Sequence, residues 1–157
     1  MAIERARDYL KNYGLDGDIM EFSVSSATVA EAAIAIGCRG EEIAKSLSFM
    51  VDDCAILVVA SGNSKIDNSK FKAEFHTKAK MLAFDEVEAL IGHAVGGVCP
   101  FGVKENVKIY LDVSLKSYET IYPACGSSNS AIKLTPAKLE EIVPFEKWVD
   151  VCKSYEQ

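Results

Sequence analysis

Apolar and polar positions repeat along the chain with two different periods. Residues 3–12 place apolar side chains at intervals of three and four, which is the spacing of an amphipathic helix. Residues 43–51 and 54–60 have the patterns of strands, and Asp52-Asp53 joins them at hairpin distance. The pattern therefore predicts both helices and a strand hairpin.

Capping residues mark further helices. Four places have the composition of a helix start: Thr28 with Glu31, Asp67, Asp85 with Glu88, and Thr135 with Pro136. Gly37 is predicted to end the first of these helices, which is rich in alanine, and Pro144 the last. Additional short strands are predicted at residues 19–24, 81–84, 107–113 and 131–134.

The order of these elements indicates the fold class. Strands occur in hairpins and between helices without a regular strand-helix-strand repeat. We therefore expect one α+β domain over residues 1–157, with a mixed, mainly antiparallel sheet and flanking helices. A length of 157 residues with 49% hydrophobic content is enough for one sizeable core.

Composition argues against several kinds of site and location. The five cysteines are scattered without C-x-x-C spacing, and the two histidines, His76 and His93, form no metal-binding motif. We expect no disulfide framework, no metal and no cofactor. No apolar run is long enough to span a bilayer, and the N-terminus lacks a signal-peptide core, so a cytoplasmic protein without membrane contact is expected.

The charge is acidic overall but basic in one segment. A net charge of -6 argues against non-specific binding to nucleic acid, and no DNA partner is expected. Residues 65–80 nevertheless hold five lysines against two acidic residues, a local balance of +3: Lys65, Lys70, Lys72, Lys78 and Lys80. The segment is either a solvated helix surface or a contact to RNA phosphates.

Lys45 occupies an unusual place in its predicted strand. Alternation puts it on the apolar face with Leu47 and Phe49, where an unpaired ammonium group is costly. Such a lysine must extend its ammonium group to solvent, bind an anion or accept a lowered pKa. Both a structural and a functional role remain open on the strand pattern alone.

The segment VGGVCPFG, residues 95–102, predicts a shaped loop. Its adjacent glycines, Gly96 and Gly97, allow positive φ and close approach to the backbone. Pro100 restricts its own φ and pushes Cys99 toward an extended conformation.

Four segments in order resemble a known family. They are SSATVAEAAIAIG, EEIAKSLSF, VGGVCPFG followed by VKIYLDVSL, and ACGSSNSAIKLTPAKL. Together they are similar to the YbaK/ProX-type domain, the editing domain associated with prolyl-tRNA synthetases, and the resemblance covers essentially the whole chain.

The resemblance implies a free-standing aminoacyl-tRNA deacylase that hydrolyses mischarged tRNA, with the tRNA for proline as the expected substrate and prolyl-tRNA synthetase as a candidate partner. By position, Lys45 matches the family's strand lysine, which holds the terminal adenosine and its phosphate, and residues 96–100 match its G-x-x-x-P loop, which holds the aminoacyl ester. An activated ester needs only a positioned water and stabilisation of the oxyanion, so no protein nucleophile is required.

The same resemblance suggests residues around the aminoacyl group. In the glycine loop these are Val98, Cys99, Pro100 and Phe101, with Cys99 expected to line the pocket. Elsewhere they are Gly126, Ser127, Ser128 and Asn129, together with Asp112 and Thr28. Turn formation is the alternative role for residues 126–129 and Asp112, and helix capping for Thr28.

Two other functions remain in view. A protein of the same fold without turnover would be a binding module for tRNA or a synthetase. An enzyme that uses Lys45 to form a Schiff base with a small carbonyl compound is the third hypothesis. The intact lysine and glycine loop favour the hydrolase.

Overall fold

Five helices and nine strands follow one another along residues 2–155, the part of the chain that the computed structural model describes. The helices are α1 (Ala2–Lys11), α2 (Val29–Ile36), α3 (Asn68–Phe75), α4 (Phe84–Ile91) and α5 (Pro136–Ile142). The strands are β1 (Met20–Glu21), β2 (Ile43–Val51), β3 (Cys54–Ser61), β4 (Ser64–Ile66), β5 (Lys108–Asp112), β6 (Tyr122–Pro123), β7 (Ser130–Ala131), β8 (Phe145–Val149) and β9 (Cys152–Ser154). Residues 1, 156 and 157 of the predicted domain lie outside the described residues.

A five-stranded sheet in the order β6-β2-β3-β5-β8 forms the centre of the fold. Within it β2 and β3 are antiparallel, whereas the other three pairings are parallel. Two small antiparallel sheets, β1-β7 and β4-β9, complete the strand pairing. A single α+β domain with a curled, mixed sheet is thus confirmed.

The balance of strand directions differs from the predicted mainly antiparallel sheet. Three of the four pairings in the central sheet are parallel: β3 with β5 and β5 with β8, each reached through a crossover that contains a helix, and the short pairing of β2 with β6. Only the sequence-adjacent pair β2-β3 is joined by a tight turn, in which Asp52 and Asp53 have φ of 49° and 61°.

Most of the predicted helix caps are present. The side chains of Thr28, Asp67 and Thr135 accept hydrogen bonds from backbone amides at the starts of α2, α3 and α5. The predicted cap at Asp85 is wrong: the cap is Ala83, two residues earlier, and the Glu86 carboxylate accepts a hydrogen bond from the Ala83 amide at 2.9 Å.

The short strands were harder to predict. Residues 81–84 form only an isolated bridge, between Phe49 and Met81, before α4 begins. The prediction missed β4, β6, β8 and β9, because each has at most five residues and depends on a distant partner.

The central sheet carries a hydrophobic cluster on each face. On one face α1, α4 and α5 pack against side chains such as Leu57 and Val59. On the other, α3 packs against Phe49, Ile56 and Val58, and the segment around β9 completes this second cluster with Val151 and Cys152. Over residues 2–155 there is no helix with the length and apolar composition that crossing a membrane requires.

Candidate active site

A cavity of about 360 Å³ opens beside β2, at the edge of the central sheet. Its walls come from five parts of the chain: the start of α2, the strand β2, residues 81–87, the glycine loop and residues 122–131. Small and apolar side chains dominate the lining, and the hydroxyl-bearing side chains of Ser26, Thr28, Ser46, Ser48 and Ser130 are also at its wall. This size and lining are typical of a small-ligand site.

The cavity lies where β2 lacks a neighbouring strand. On its outer side β2 pairs with β6 only at Ile43 and Ala44. Further along, the Met50 amide donates to the Lys80 carbonyl at 2.9 Å, and the Leu82 amide donates to the Ser48 carbonyl at 3.2 Å. Within the described chain, residues 45–47 have no strand partner on that side, so the sheet edge itself opens the site.

Lys45 lies on the apolar face of β2, as alternation predicts, opposite Ala60 of β3. Its ammonium group donates a hydrogen bond to the Ser64 carbonyl oxygen and lies 5.2 Å from the centre of the Tyr155 ring. Burial lowers the pKa of the Lys45 ammonium, while the nearby Cys152 thiol group opposes that shift. The lysine is therefore half-buried, held by a carbonyl and an aromatic face, and at the wall of the cavity.

The two glycines of the loop have different surroundings. Gly96 has φ of 97° and lines the cavity. Gly97 is buried, and its amide donates to the Ala94 carbonyl at 3.0 Å. A Cβ atom at residue 97 would lie 2.5 Å from the Gly126 carbonyl carbon, so the close approach that this glycine permits is to the protein's own backbone.

The loop leaves the cavity wall after Val98. Val98 lines the cavity, whereas Cys99, Pro100 and Phe101 are buried behind the cavity wall. The expectation that Cys99 lines the pocket is therefore wrong, because the loop passes from the cavity wall at Val98 into the core at Cys99. Burial raises the pKa of the Cys99 thiol to about 12, so the thiol is protonated at neutral pH.

His93 lies beside Cys99 and is fully buried. Its Nε2 atom donates to the Phe101 carbonyl at 2.7 Å, because a carbonyl oxygen can only accept, and this fixes the tautomer of the neutral ring. Burial lowers the pKa of the imidazole. His93 does not line the cavity, so the structure gives it a packing position.

The turn at residues 126–129 lies against Gly97 and outside the cavity lining. The Ser127 hydroxyl donates to Asn129 Oδ1 and accepts from the Ser130 hydroxyl, and the side-chain amide of Asn129 donates to the Phe22 carbonyl at 2.9 Å. The Ser128 carbonyl accepts a hydrogen bond from the Ser26 amide at 2.6 Å. These contacts tie the turn to residues 22–26, and of this region Ser130, rather than residues 126–129, lines the cavity.

Asp112 and Thr28 have structural partners. The buried carboxylate of Asp112 accepts from the amides of Ser114 and Val151, both at 2.9 Å, and it lies away from the cavity. The Thr28 hydroxyl accepts from the Glu31 amide at 3.1 Å, and Thr28 also lines the cavity. Asp112 thus caps the turn that follows β5, and Thr28 caps the start of α2.

The lysines of residues 65–80 do not act as one group. Lys70 forms an ion pair with Asp150 at 3.1 Å and also donates to the Cys152 carbonyl. Lys65 lies over the Tyr155 ring at 5.5 Å. The remaining three are exposed: Lys72, Lys78 and Lys80.

Sequence reasoning missed several residues at the cavity wall. Ala44, Ser46 and Ser48 share one face of β2, and their small size was a visible signal of a cavity on that side. Met81 and Phe84 gave no such signal. They belong to the crossover between β3 and β5, and the sequence does not show that this crossover returns to β2. Over residues 2–155, no group of three or more side chains is placed to hold a metal ion.

Comparison with known proteins identifies the family. The family model described as "Aminoacyl-tRNA editing domain" matches residues 24–142. The "Uncharacterized protein YwhH" of Bacillus subtilis (strain 168) is 48% identical over 157 residues, covering 99% of this chain and 100% of that protein. The "Putative Cys-tRNA(Pro)/Cys-tRNA(Cys) deacylase EbsC" of Enterococcus faecalis (strain ATCC 700802 / V583) is 30% identical over 74% of this chain and 70% of its own.

A solved structure shares the whole architecture. The "Crystal structure of a putative trans-editing enzyme for prolyl tRNA synthetase" superposes with a TM-score of 0.86 and 28% sequence identity, covering 98% of each chain. The match spans the sheet edge, the glycine loop and residues 122–131, all of which contribute to the cavity wall. This chain belongs to the aminoacyl-tRNA editing domain family.

Proposed function

We propose that this protein is a trans-editing hydrolase that cleaves the ester between a small, wrongly attached amino acid and the 3′ end of a tRNA, the tRNA for proline in particular. The observation that carries the proposal is the cavity at the open edge of β2, which has Lys45 and Gly96 in its wall. Membership of the editing family and relatives named for deacylation and trans-editing support it.

The chemistry proceeds without a protein nucleophile. Cys99 is protonated and lies behind the cavity, and His93 is buried outside it. An aminoacyl ester is activated enough for a positioned water to attack it when backbone amides stabilise the oxyanion. The Gly97 amide already donates to Ala94, so the neighbouring amides of Gly96 and Val98 are the proposed donors.

Lys45 is proposed to hold the terminal phosphate and adenosine. An ammonium group has three donors, so it can keep its hydrogen bond to Ser64 and still bind an anion. Half-burial strengthens that attraction, because fewer water molecules screen the charge. The lysine therefore binds and orients the substrate, and the water carries out the attack.

The cavity's size and lining favour a small amino acid. Its volume of about 360 Å³ has to accept the aminoacyl group and part of the ribose, so a large side chain is excluded by shape. The same proposal includes the tRNA for proline as substrate, prolyl-tRNA synthetase as a partner and the cytoplasm as the place of action.

Single-turnover hydrolysis tests the proposal directly. We would charge tRNA for proline with alanine, cysteine, serine, threonine and 2-aminobutyrate, and compare the wild type with Lys45→Met and with Lys108→Met. Lys108 is an exposed lysine of β5 that does not line the cavity, which makes it a matched control. We expect rapid release of at least one amino acid, lost in Lys45→Met and kept in Lys108→Met.

Two results would contradict the proposal. Hydrolysis of every ester at the uncatalysed rate, with tRNA still bound, would make the protein a binding module of the same fold. Full activity in a folded Lys45→Met variant would remove the lysine from the mechanism.

A further inference from the structure

Three exposed apolar side chains surround the mouth of the cavity. Met81 is 59% exposed, Phe84 is 79% exposed and Val95 is 48% exposed, and all three also line the cavity. Exposed apolar groups that gather at a site, rather than being scattered singly, indicate a binding surface. A phenyl ring that stays in water contributes little hydrophobic free energy to folding.

The backbone beneath these side chains is fixed. Phe84 is the first residue of α4, whose inner face is anchored by the buried Val87 and Ile91. Met81 lies between two hydrogen bonds that attach residues 80–82 to β2. The Phe84 ring therefore projects from a rigid support, as a stacking surface requires.

The charges beside the ring favour a nucleotide. Lys78 and Lys80 are exposed and come just before Met81 in the chain, so cations precede the aromatic residue on this side of the mouth. Asp85 and Glu88 are exposed on α4, and their negative charges would repel phosphate groups on the α4 side of the mouth. An RNA strand would therefore extend on the lysine side of the mouth.

We infer that Phe84, flanked by Met81, is the stacking surface for the base of the terminal nucleotide whose ester enters the cavity. The inference rests on the proposed function, which places the 3′ end of an RNA at this mouth. A phenyl ring stacks on any base, so Phe84 contributes affinity and position, while the cavity selects the amino acid.

Fluorescence of a base analogue tests the inference without hydrolysis. The probe is an uncharged RNA hairpin with a CCA end whose terminal adenine is replaced by 2-aminopurine, which loses fluorescence when it stacks. The wild type, Phe84→Ala, Phe84→Tyr and Ile34→Ala are titrated against it. Ile34 is 82% exposed and lies outside the cavity lining, so its variant controls for the loss of an exposed apolar side chain.

We expect quenching by the wild type, Phe84→Tyr and Ile34→Ala. In Phe84→Ala we expect the quenching to be lost and the dissociation constant to rise about 5- to 150-fold. Circular dichroism of each variant checks that the exposed substitution leaves the fold intact. With charged tRNA, kcat/KM should fall in the same variant by a similar factor.

Other results would overturn the inference. Equal quenching and affinity in Phe84→Ala and the wild type, or no quenching at all, would show that the ring does not stack on RNA and would assign the apolar mouth to a protein partner. Failure of the proposed function is seen separately, as the absence of cleavage of every charged tRNA, because the fluorescence measurement needs no ester.

Discussion

Gly97 lies directly against Gly126, so that a Cβ atom on the first would stand 2.5 Å from the carbonyl carbon of the second. At this point the glycine loop and the turn at residues 126–129 meet main chain to main chain. Gly96, the preceding residue, remains at the cavity wall. This contact sets the position of the loop whose amides are proposed to act on the ester.

Replacement of Gly97 by alanine should therefore damage the fold and the site together. The added methyl group meets backbone atoms that cannot move aside, and such overpacking costs about 1–3 kcal/mol. We expect Tm to fall by about 2 to 12 °C and deacylation to be lost. Gly17→Ala is the control, since a Cβ there meets nothing within 4 Å. A Gly97→Ala protein as stable as the wild type would contradict the contact.

Cys99 should behave as an inert core residue. Its thiol pKa of about 12, caused by burial, means that the reactive thiolate is scarce at pH 8. We expect iodoacetamide to label the half-buried Cys54 in the folded protein but not Cys99, as measured by peptide mass spectrometry. The Cys99→Ala variant should keep its hydrolysis rate within a few-fold. Labelling of both cysteines at equal rates would show that residue 99 is accessible.

Stability should fall in acid because of His93. Burial holds its pKa below the usual value of 6.5, so the unfolded state takes up a proton first as the pH falls. The contribution of neutral His93 is therefore complete above about pH 6.5 and is lost below it, by up to about 1.4 kcal/mol per pH unit.

Urea unfolding between pH 4.5 and 7.5 measures this effect. His93→Gln, which can still donate to the Phe101 carbonyl, should show a shallower dependence of the unfolding free energy on pH. His76→Asn, at an exposed left-handed position that asparagine tolerates, should keep the wild-type slope. Parallel curves for the wild type and His93→Gln would exclude His93 as the cause.

Local signals made part of the structure predictable. The caps at Thr28 and Thr135 depend on residues within one helical turn, so their sequence spacing is sufficient. Alternation along β2 likewise placed Lys45 on the apolar face. Each of these predictions needs only a few neighbouring residues.

The walls of the cavity depend on distant contacts and could not be predicted in the same way. The sequence around Gly97 shows that close approach is possible, but not that residue 126 makes it. Which side chains of the loop face the cavity depends on the chain path, so Val98 and Cys99 could not be told apart. The exposure of Phe84 follows from where α4 begins, and the predicted cap placed that start two residues too late.

The parallel pairing of β5 with β8 joins residues 145–149 to the central sheet, so we expect folding during synthesis to finish late. Until β8 has left the ribosome, β5 has a partner on one side only, and Val149, Val151 and Cys152 are missing from the cluster around Phe71. A chain that ends before residue 145 therefore has an open sheet edge at β5 and an incomplete second cluster. We therefore expect a nascent chain that stalls before residue 145 to expose this edge to aggregation and proteolysis until β8 pairs with β5.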